Sequence, residues 1–246
     1  MTQGARARST CGTPGDPTLA VPAWRQGVGP RTTAAVLVMA FLLTALAAYL
    51  LGSIPTGYLV ARWKNIDITQ VGSGNIGATN VFRILGRGPG IFVLLTDAAK
   101  GALSVLFLPG LAALVAGAGS PWLAALAAVC AVLGHNFTCW LRFKGGKGIA
   151  TSAGALAALV PAAFLVIFIT WIVVFALGRY VSLASIAAAA VLPFATAFTT
   201  QGELRWPLVG LTSLLAFLAI WRHRPNIRRL LDGTENRFGP KKEVAS

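Results

Sequence analysis

Six long apolar stretches run through this chain, and nearly all its polar and charged residues fall in short runs between them. The stretches are 34–61, 89–109 with an apolar extension to about 117, 121–141, 149–178, 183–200 and 206–222. A membrane helix needs about 20 mostly apolar residues. The pattern predicts an all-α polytopic integral membrane protein. Composition agrees: 56% of the 246 residues are hydrophobic and 11% are charged, against about 25% charged in soluble domains. Mean hydropathy is +0.71. Small residues dominate the spans, as in 124–131 and 184–190. Small faces let helix backbones approach closely in lipid.

Charge sets the expected number of crossings, because cation-rich loops stay in the cytoplasm. Loop 62–88 carries Arg62, Lys64, Arg83 and Arg87, and loop 142–148 carries Arg142, Lys144 and Lys147. Both belong inside, with the uncharged loop 110–120 outside. If 149–178 crossed once, the arginine-rich tail after Arg222 would end outside. A break near Pro161 makes it cross twice and returns the tail to the cytoplasm. The expectation is therefore seven transmembrane helices, N-terminus out and C-terminus in, with Gln201 in an outer loop. Residues 1–33 are rich in Gly, Pro, Thr and Arg without apolar period, and read as a disordered basic tail. Their arginines fit poorly outside, and Met39 inside the first stretch is an alternative start. The membrane domain is expected over 34–236 and a cytoplasmic tail over 237–246.

Net charge is +14, from 21 Lys+Arg against 7 Asp+Glu. That excess suits an anionic leaflet and anionic substrates. Nucleic acid is not an expected partner, since the cations lie beside hydrophobic spans. Cys11, Cys130 and Cys139, with His135 and His223, suggest neither a disulfide framework nor a metal site. No metal or other cofactor is expected.

The polar runs combine glycines, cations and amides, as a surface that wraps an anion would. In the first, Gly72, Gly74 and Gly77 can take positive φ and expose backbone N–H groups. Ser73, Asn75, Thr79 and Asn80 add side-chain hydrogen bonds, and Arg83 a fork suited to phosphate. Asp97 and Lys100 lie inside or at the end of a span, three residues apart. They read equally as a self-neutralising pair or as Asp97 holding Lys100 toward an anion. The run Lys144-Gly145-Gly146-Lys147-Gly148 leads into a helix start and resembles a phosphate-binding loop, though it is no Walker A. His223 and Asn226 flank Pro225, so a turn could aim both at one site. Neighbouring cations should keep His223 neutral. The arginines around it read as cytoplasmic anchors. Ser182 falls on the same expected membrane face.

Together these residues resemble the bacterial acyl-phosphate:glycerol-3-phosphate acyltransferase family (PlsY) over about 45–236. The resemblance rests on Gly52-Ser53-Ile54-Pro55, on Ser73 to Asn80 with Arg83, on Asp97 with Lys100-Gly101, on Gly134-His135 with Phe143 to Gly148, and on Arg222-His223-Arg224 with Asn226-Ile227. It implies a multi-pass enzyme of the bacterial inner membrane with its site facing the cytoplasm. Such an enzyme moves a fatty acyl group from acyl phosphate to the 1-hydroxyl of sn-glycerol 3-phosphate, giving lysophosphatidic acid and phosphate. It further implies that Ser73 and Arg83 are essential, that the glycine-lysine loop binds phosphate, that His223 and Asn226 serve activity, and that Glu235 supports structure. The expected catalytic set is Ser73, Arg83, Ser182, His223 and Asn226. The expected phosphate ligands are Ser73, Asn75, Asn80, Arg83, Lys100, Lys144, Gly145, Gly146, Lys147 and Gly148. The proton acceptor is either His223 or a substrate phosphate oxygen. A transporter of organophosphate anions would use the same cations, but the motifs share one side. A head-group transferase would need an aspartate cluster, and the membrane part has one intraspan Asp. Acyl-chain preference and oligomeric state are not set by these residues.

Overall fold

The computed structural model describes residues 34–239, and the elements among them are all helical. The expectations for residues 1–33, and for 240–246 of the tail, lie outside the described residues. The order is α1 (Ala34–Ser53), α2 (Thr56–Trp63), α3 (Ala78–Leu85), α4 (Arg87–Ala116), α5 (Trp122–Asn136), a 3-10 turn (Cys139–Leu141), α6 (Ile149–Leu159), α7 (Pro161–Gly178), α8 (Val181–Thr199), α9 (Arg205–Arg222) and α10 (Arg224–Leu231).

Three expected boundaries move, each for a local reason. Stretch 34–61 is two helices, because Pro55 lacks an N–H and disfavours helix at Ile54. Loop 62–88 contains α3, whose apolar face packs on α4. The loop expected at 110–120 is mostly helix, since α4 continues through Pro109 and stops only at Gly117, a left-handed residue at φ 75°. The break near Pro161 is present. α6 ends at Leu159, Val160 adopts φ −136° and ψ 66°, and Pro161 opens α7. Proline is favoured in that first-turn position because its missing N–H would be unpaired anyway.

Among the described residues, five segments are long and apolar enough to cross a membrane: Ala34–Trp63, Arg87–Ala116, Trp122–Leu141, Pro161–Gly178 and Val181–Thr199. α6 is apolar but has only 11 residues, about 17 Å of helix. α9 has 18 residues with an arginine at each end.

Glycines set how closely the helices meet. Gly52 of α1 faces the Ala131 backbone of α5, and Gly134 of α5 faces the Tyr49 backbone of α1. Gly101 of α4 lies on the Thr151 carbonyl of α6, and Gly154 of α6 on the Ala98 carbonyl of α4. A Cβ at any of these four would collide with backbone, which cannot yield as a side chain can. α7 packs on α8 and α8 on α9, with Leu192, Leu208 and Leu215 buried among them. The membrane-embedded charges are paired. Lys100 Nζ lies 2.9 Å from Asp97 Oδ1 and donates to Ile54 O at 2.9 Å. The carbonyl exposed by the α1–α2 break is thereby satisfied, and α4 is tied to that break.

Replacing Gly154 by leucine should cost about 1–3 kcal/mol of stability through overpacking of α4 on α6. Gly110→Ala, with nothing within 4 Å of the added carbon, should be neutral. Thermal unfolding in detergent reads both. An unchanged midpoint for Gly154→Leu would mean that α4 and α6 do not meet through their backbones.

Candidate active site

A cavity of about 500 Å³ opens between α3–α4 on one side and α7–α8 on the other. One end is polar, lined by Ser73, Asn75, Arg83, Lys147, Ser182, His223, Asn226 and Glu235. The other is apolar, with Ile91, Leu94, Leu156, Ile167, Phe168 and Leu192 on its walls. All five expected catalytic residues therefore reach one chamber, although they come from three separate parts of the chain.

The polar end is organised by Glu235. Its Oε1 accepts from Ser182 Oγ at 2.8 Å and from Asn226 Nδ2 at 2.7 Å. Its Oε2 accepts from Arg229 Nε at 2.7 Å. Burial would raise this carboxyl's pKa, but the hydrogen bonds from Asn226, Ser182 and Arg229 outweigh it and hold it below the ordinary range. With its Nδ2 committed, Asn226 turns Oδ1 to Lys147 Nζ, 2.5 Å away. Burial pushes the Lys147 ammonium down to about 8, and three nearby arginines, Arg229, Arg83 and Arg222, add to the shift against the pull of Glu235.

His223 caps α9 and is 3% exposed. Its Nδ1 lies 2.7 Å from the Ala219 carbonyl. A carbonyl only accepts, so Nδ1 carries the proton and Nε2 is left bare. Its pKa is pushed down to about 4, first by burial and then by the Lys147 charge. The neutral state expected from neighbouring cations is thus present, with desolvation as the larger cause.

The glycine-lysine loop is built differently from the expectation. Gly145 N–H donates to Asn136 O and Gly146 N–H to His135 O, both at 3.1 Å. These are the last carbonyls of α5, left without intrahelical partners by the helix end. Side chains at Gly145 and Gly146 would strike the His135 carbonyl and ring respectively. Both glycines serve packing, and their N–H groups are spent. Arg222 clamps the loop from the other side, donating to Gly145 O at 2.9 Å and Gly146 O at 2.7 Å. The anion-facing part begins one residue later. Lys147, Gly148 at φ 77°, Ile149 and Ala150 line the cavity, where α6 offers its unpaired first-turn N–H groups.

Of the other expected ligands, Asn80 lines the cavity with its amide committed to the backbone. Asn80 is a buried clamp, accepting from Ser73 N–H at 2.9 Å and donating to Val71 O and Asn75 O at 3.1 and 3.0 Å. It lets Gly72 and Gly74 hold φ 62° and 66°, whereas Gly77 is extended at φ −74°. Lys144 is exposed, and neither it nor Lys100 lines the cavity. Lys100 is fully engaged with Asp97 and Ile54, which is the self-neutralising reading. Asp97 and His135 do touch the cavity wall, 3.7 Å apart. Arg224 stacks 4.3 Å over Trp221, while two other arginines read as anchors, Arg222 and Arg229, hold the glycine loop and Glu235. The one available signal for those two was their nearness in sequence to His223 and Glu235. Among the described residues no cluster of three His, Cys, Asp or Glu could hold a metal.

Comparison with known proteins converges on one family. A family model described as glycerol-3-phosphate acyltransferase matches residues 42–233. Glycerol-3-phosphate acyltransferase 2 of Moorella thermoacetica is 48% identical over 202 residues, covering 82% of this chain and 99% of the relative. The glycerol-3-phosphate acyltransferase of Geobacter sulfurreducens is 49% identical over 197 residues, covering 80% and 96%. The crystal structure of PlsY (YgiH), an integral membrane glycerol 3-phosphate acyltransferase, in its glycerol 3-phosphate form superposes with TM-score 0.72 at 38% identity. It covers 81% of this chain and 96% of its own, and the lysophosphatidic acid form of the same protein gives TM-score 0.69. With the cavity, the polar runs and these matches in agreement, the chain belongs to the glycerol-3-phosphate acyltransferase family.

Proposed function

We propose that this enzyme transfers a fatty acyl group from acyl phosphate to the 1-hydroxyl of sn-glycerol 3-phosphate. The products are lysophosphatidic acid and phosphate. The observation that carries the reading is the two-ended cavity. Cations, a neutral imidazole with a bare Nε2 and a helix N-terminus line one part of it, and aliphatic and aromatic side chains another.

Both reactants are anions, so holding them together requires fixed positive charge. Arg83, Lys147 and the α6 N-terminus supply it around the phosphates, with Ser73 and Asn75 as hydrogen-bonding partners. The acyl chain lies between α4 and α7. His223 Nε2 accepts the hydrogen bond of the attacking hydroxyl, the Ala219 carbonyl holds the imidazole, and Ser182, Glu235 and Asn226 form the hydrogen-bonded chain that holds Lys147. The hydroxyl oxygen bonds to the carbonyl carbon, and the bond from that carbon to the phosphate oxygen breaks. The hydroxyl proton ends on the departing phosphate. The phosphate oxygen freed by bond cleavage carries a new negative charge and is a stronger base than an imidazole held at about 4, so the imidazole orients the hydroxyl and phosphate is the final proton holder. An acyl phosphate is a mixed anhydride with a good leaving group, and no strong general acid is needed.

We place the site at the cytoplasmic face of the bacterial inner membrane, in a domain spanning 34–236. α6 and α9 complete seven crossings, with the N-terminus out and the C-terminus in. The charge distribution and the α6–α7 break support this arrangement. In a variant free of native cysteines, Gln201→Cys should be labelled from outside and Thr234→Cys from inside. Labelling of both from one side would reject the topology.

Purified protein should form lysophosphatidate from acyl phosphate without added metal and in the presence of chelator. Acyl-CoA and acyl-carrier protein should be poor donors. Equal rates with a thioester donor would overturn the assignment of acyl phosphate. His223→Ala should lower kcat by about 10–100-fold through loss of the hydrogen bond that orients the hydroxyl, and Arg83→Ala should lower kcat/KM by about 10–100-fold through loss of a charge-assisted phosphate contact. Wild-type turnover in both variants would remove them from the site. Because kcat/KM reports the free enzyme, it should fall as pH rises through about 8, where Lys147 loses its proton. Lys147→Arg should move that alkaline limb upward whatever its residual rate. An unmoved limb would exclude Lys147 as the titrating cation.

A further inference from the structure

Beyond Glu235 the chain crosses the cavity as a strap. Arg83 Nη2 approaches Asn236 O at 3.5 Å. Phe238 N–H donates to Arg179 O at 2.7 Å, and Arg179 Nε returns a bond to Phe238 O at 2.8 Å. Arg237 Nε donates to Gly178 O at 3.1 Å, with its guanidinium 5.6 Å over the Tyr180 ring. The Phe238 ring lies 5.2 Å from Phe82 of α3 and 5.7 Å from Phe175 of α7. All three rings line the cavity.

This placement does two things. It joins walls that otherwise pack on different neighbours, α3 on α4 and α7 on α8. It also sets an aromatic cluster on the cavity wall next to the polar residues Arg83 and Glu235. Phe82 adjoins Arg83 in α3, Phe238 follows Glu235 by three residues, and Trp171 lies one helical turn before Phe175. A molecule with its phosphate at Arg83 and Lys147 and its chain toward Phe168 would pass its first methylenes under these rings.

We infer that Phe238 is a binding residue for the acyl donor, closing over the carbons next to the reacting carbonyl and keeping water from it. The inference rests on the acyl phosphate reading above. In the competing reaction, water attacks the same carbonyl carbon and the bond to the phosphate oxygen breaks. Fatty acid and phosphate result, one water proton passing to the phosphate. A strap that packs over the carbonyl favours the glycerol hydroxyl, which is held by its own phosphate, over diffusing water.

The test compares Phe238→Ala and Phe238→Leu with wild type in bilayer nanodiscs, measuring lysophosphatidate and free fatty acid from acyl phosphate. Phe238→Ala should raise the KM for acyl phosphate about tenfold, as expected for removing most of a buried phenyl contact. The KM for glycerol 3-phosphate should change less than about twofold, because no phosphate ligand is touched. The fraction of donor lost to water should rise, and Phe238→Leu should restore most of both values. Wild-type donor KM and hydrolysis in Phe238→Ala would overturn the inference. So would an equal rise in both KM values, which marks general loosening. If Phe238→Ala does not fold, Phe238→Leu against Phe175→Leu gives the same split on a smaller scale. A wild-type enzyme idle with acyl phosphate instead overturns the donor assignment. The KM for the donor that does work then tests Phe238 by the same comparison.

Discussion

One carboxylate ties the polar end of this protein together. Glu235 receives Ser182 from α8, Asn226 from α10 and Arg229 one turn further along. Its charge is affordable at 8% exposure because an arginine and two neutral donors satisfy it, as buried charge requires. With its amide nitrogen committed, Asn226 can present only its oxygen to Lys147. Lys147 in turn stands at the N-terminal end of α6. Removing the carboxylate would leave Asn226 free to flip and Lys147 without a fixed partner, so one carboxylate governs two other groups on the cavity wall.

The remaining site geometry follows from how membrane helices end. Each terminus leaves several backbone groups unpaired, and in lipid these must find partners close by. At the end of α5 the orphan carbonyls take the N–H groups of Gly145 and Gly146. At the α1–α2 break, Ile54 O takes Lys100. At the end of α9 the Ala219 carbonyl takes the His223 imidazole and fixes its tautomer. The starts of α3, α6 and α8 lie on the cavity wall instead. Helix ends that meet other helices are closed by nearby partners, and the ends at the cavity are where anions are expected to bind.

The sequence was most legible where its signal was local. Apolar runs and cation placement predicted the helices and the break at Pro161, and the polar runs picked out every residue at the polar end of the cavity. What was not legible depends on distant neighbours. Gly145 and Gly146 look like a phosphate cradle in sequence, but their purpose is set by His135 and Asn136 from α5. Asn80 resembles a ligand until its four backbone partners are seen. Arg222 and Arg229 are indistinguishable from interfacial anchors without the loop and the carboxylate they hold. A glycine required for close approach and one required for an exposed N–H carry the same letter, and only the three-dimensional contact separates them.

The same reasoning bears on how strong a base such a site can contain. Placing His223 within hydrogen-bond reach of Ala219 and beside Lys147 buys a defined tautomer at the expense of basicity, since both burial and the ammonium disfavour the imidazolium. An ester or thioester donor with a poor leaving group would need a stronger proton acceptor or a general acid. An acyl phosphate needs neither, because its leaving group takes the proton as it departs. The weakness of the imidazole and the reactivity of the mixed anhydride therefore match. The demand on the protein shifts from moving protons to holding two anions in contact and keeping water away, which cations at one end and apolar walls at the other are suited to do.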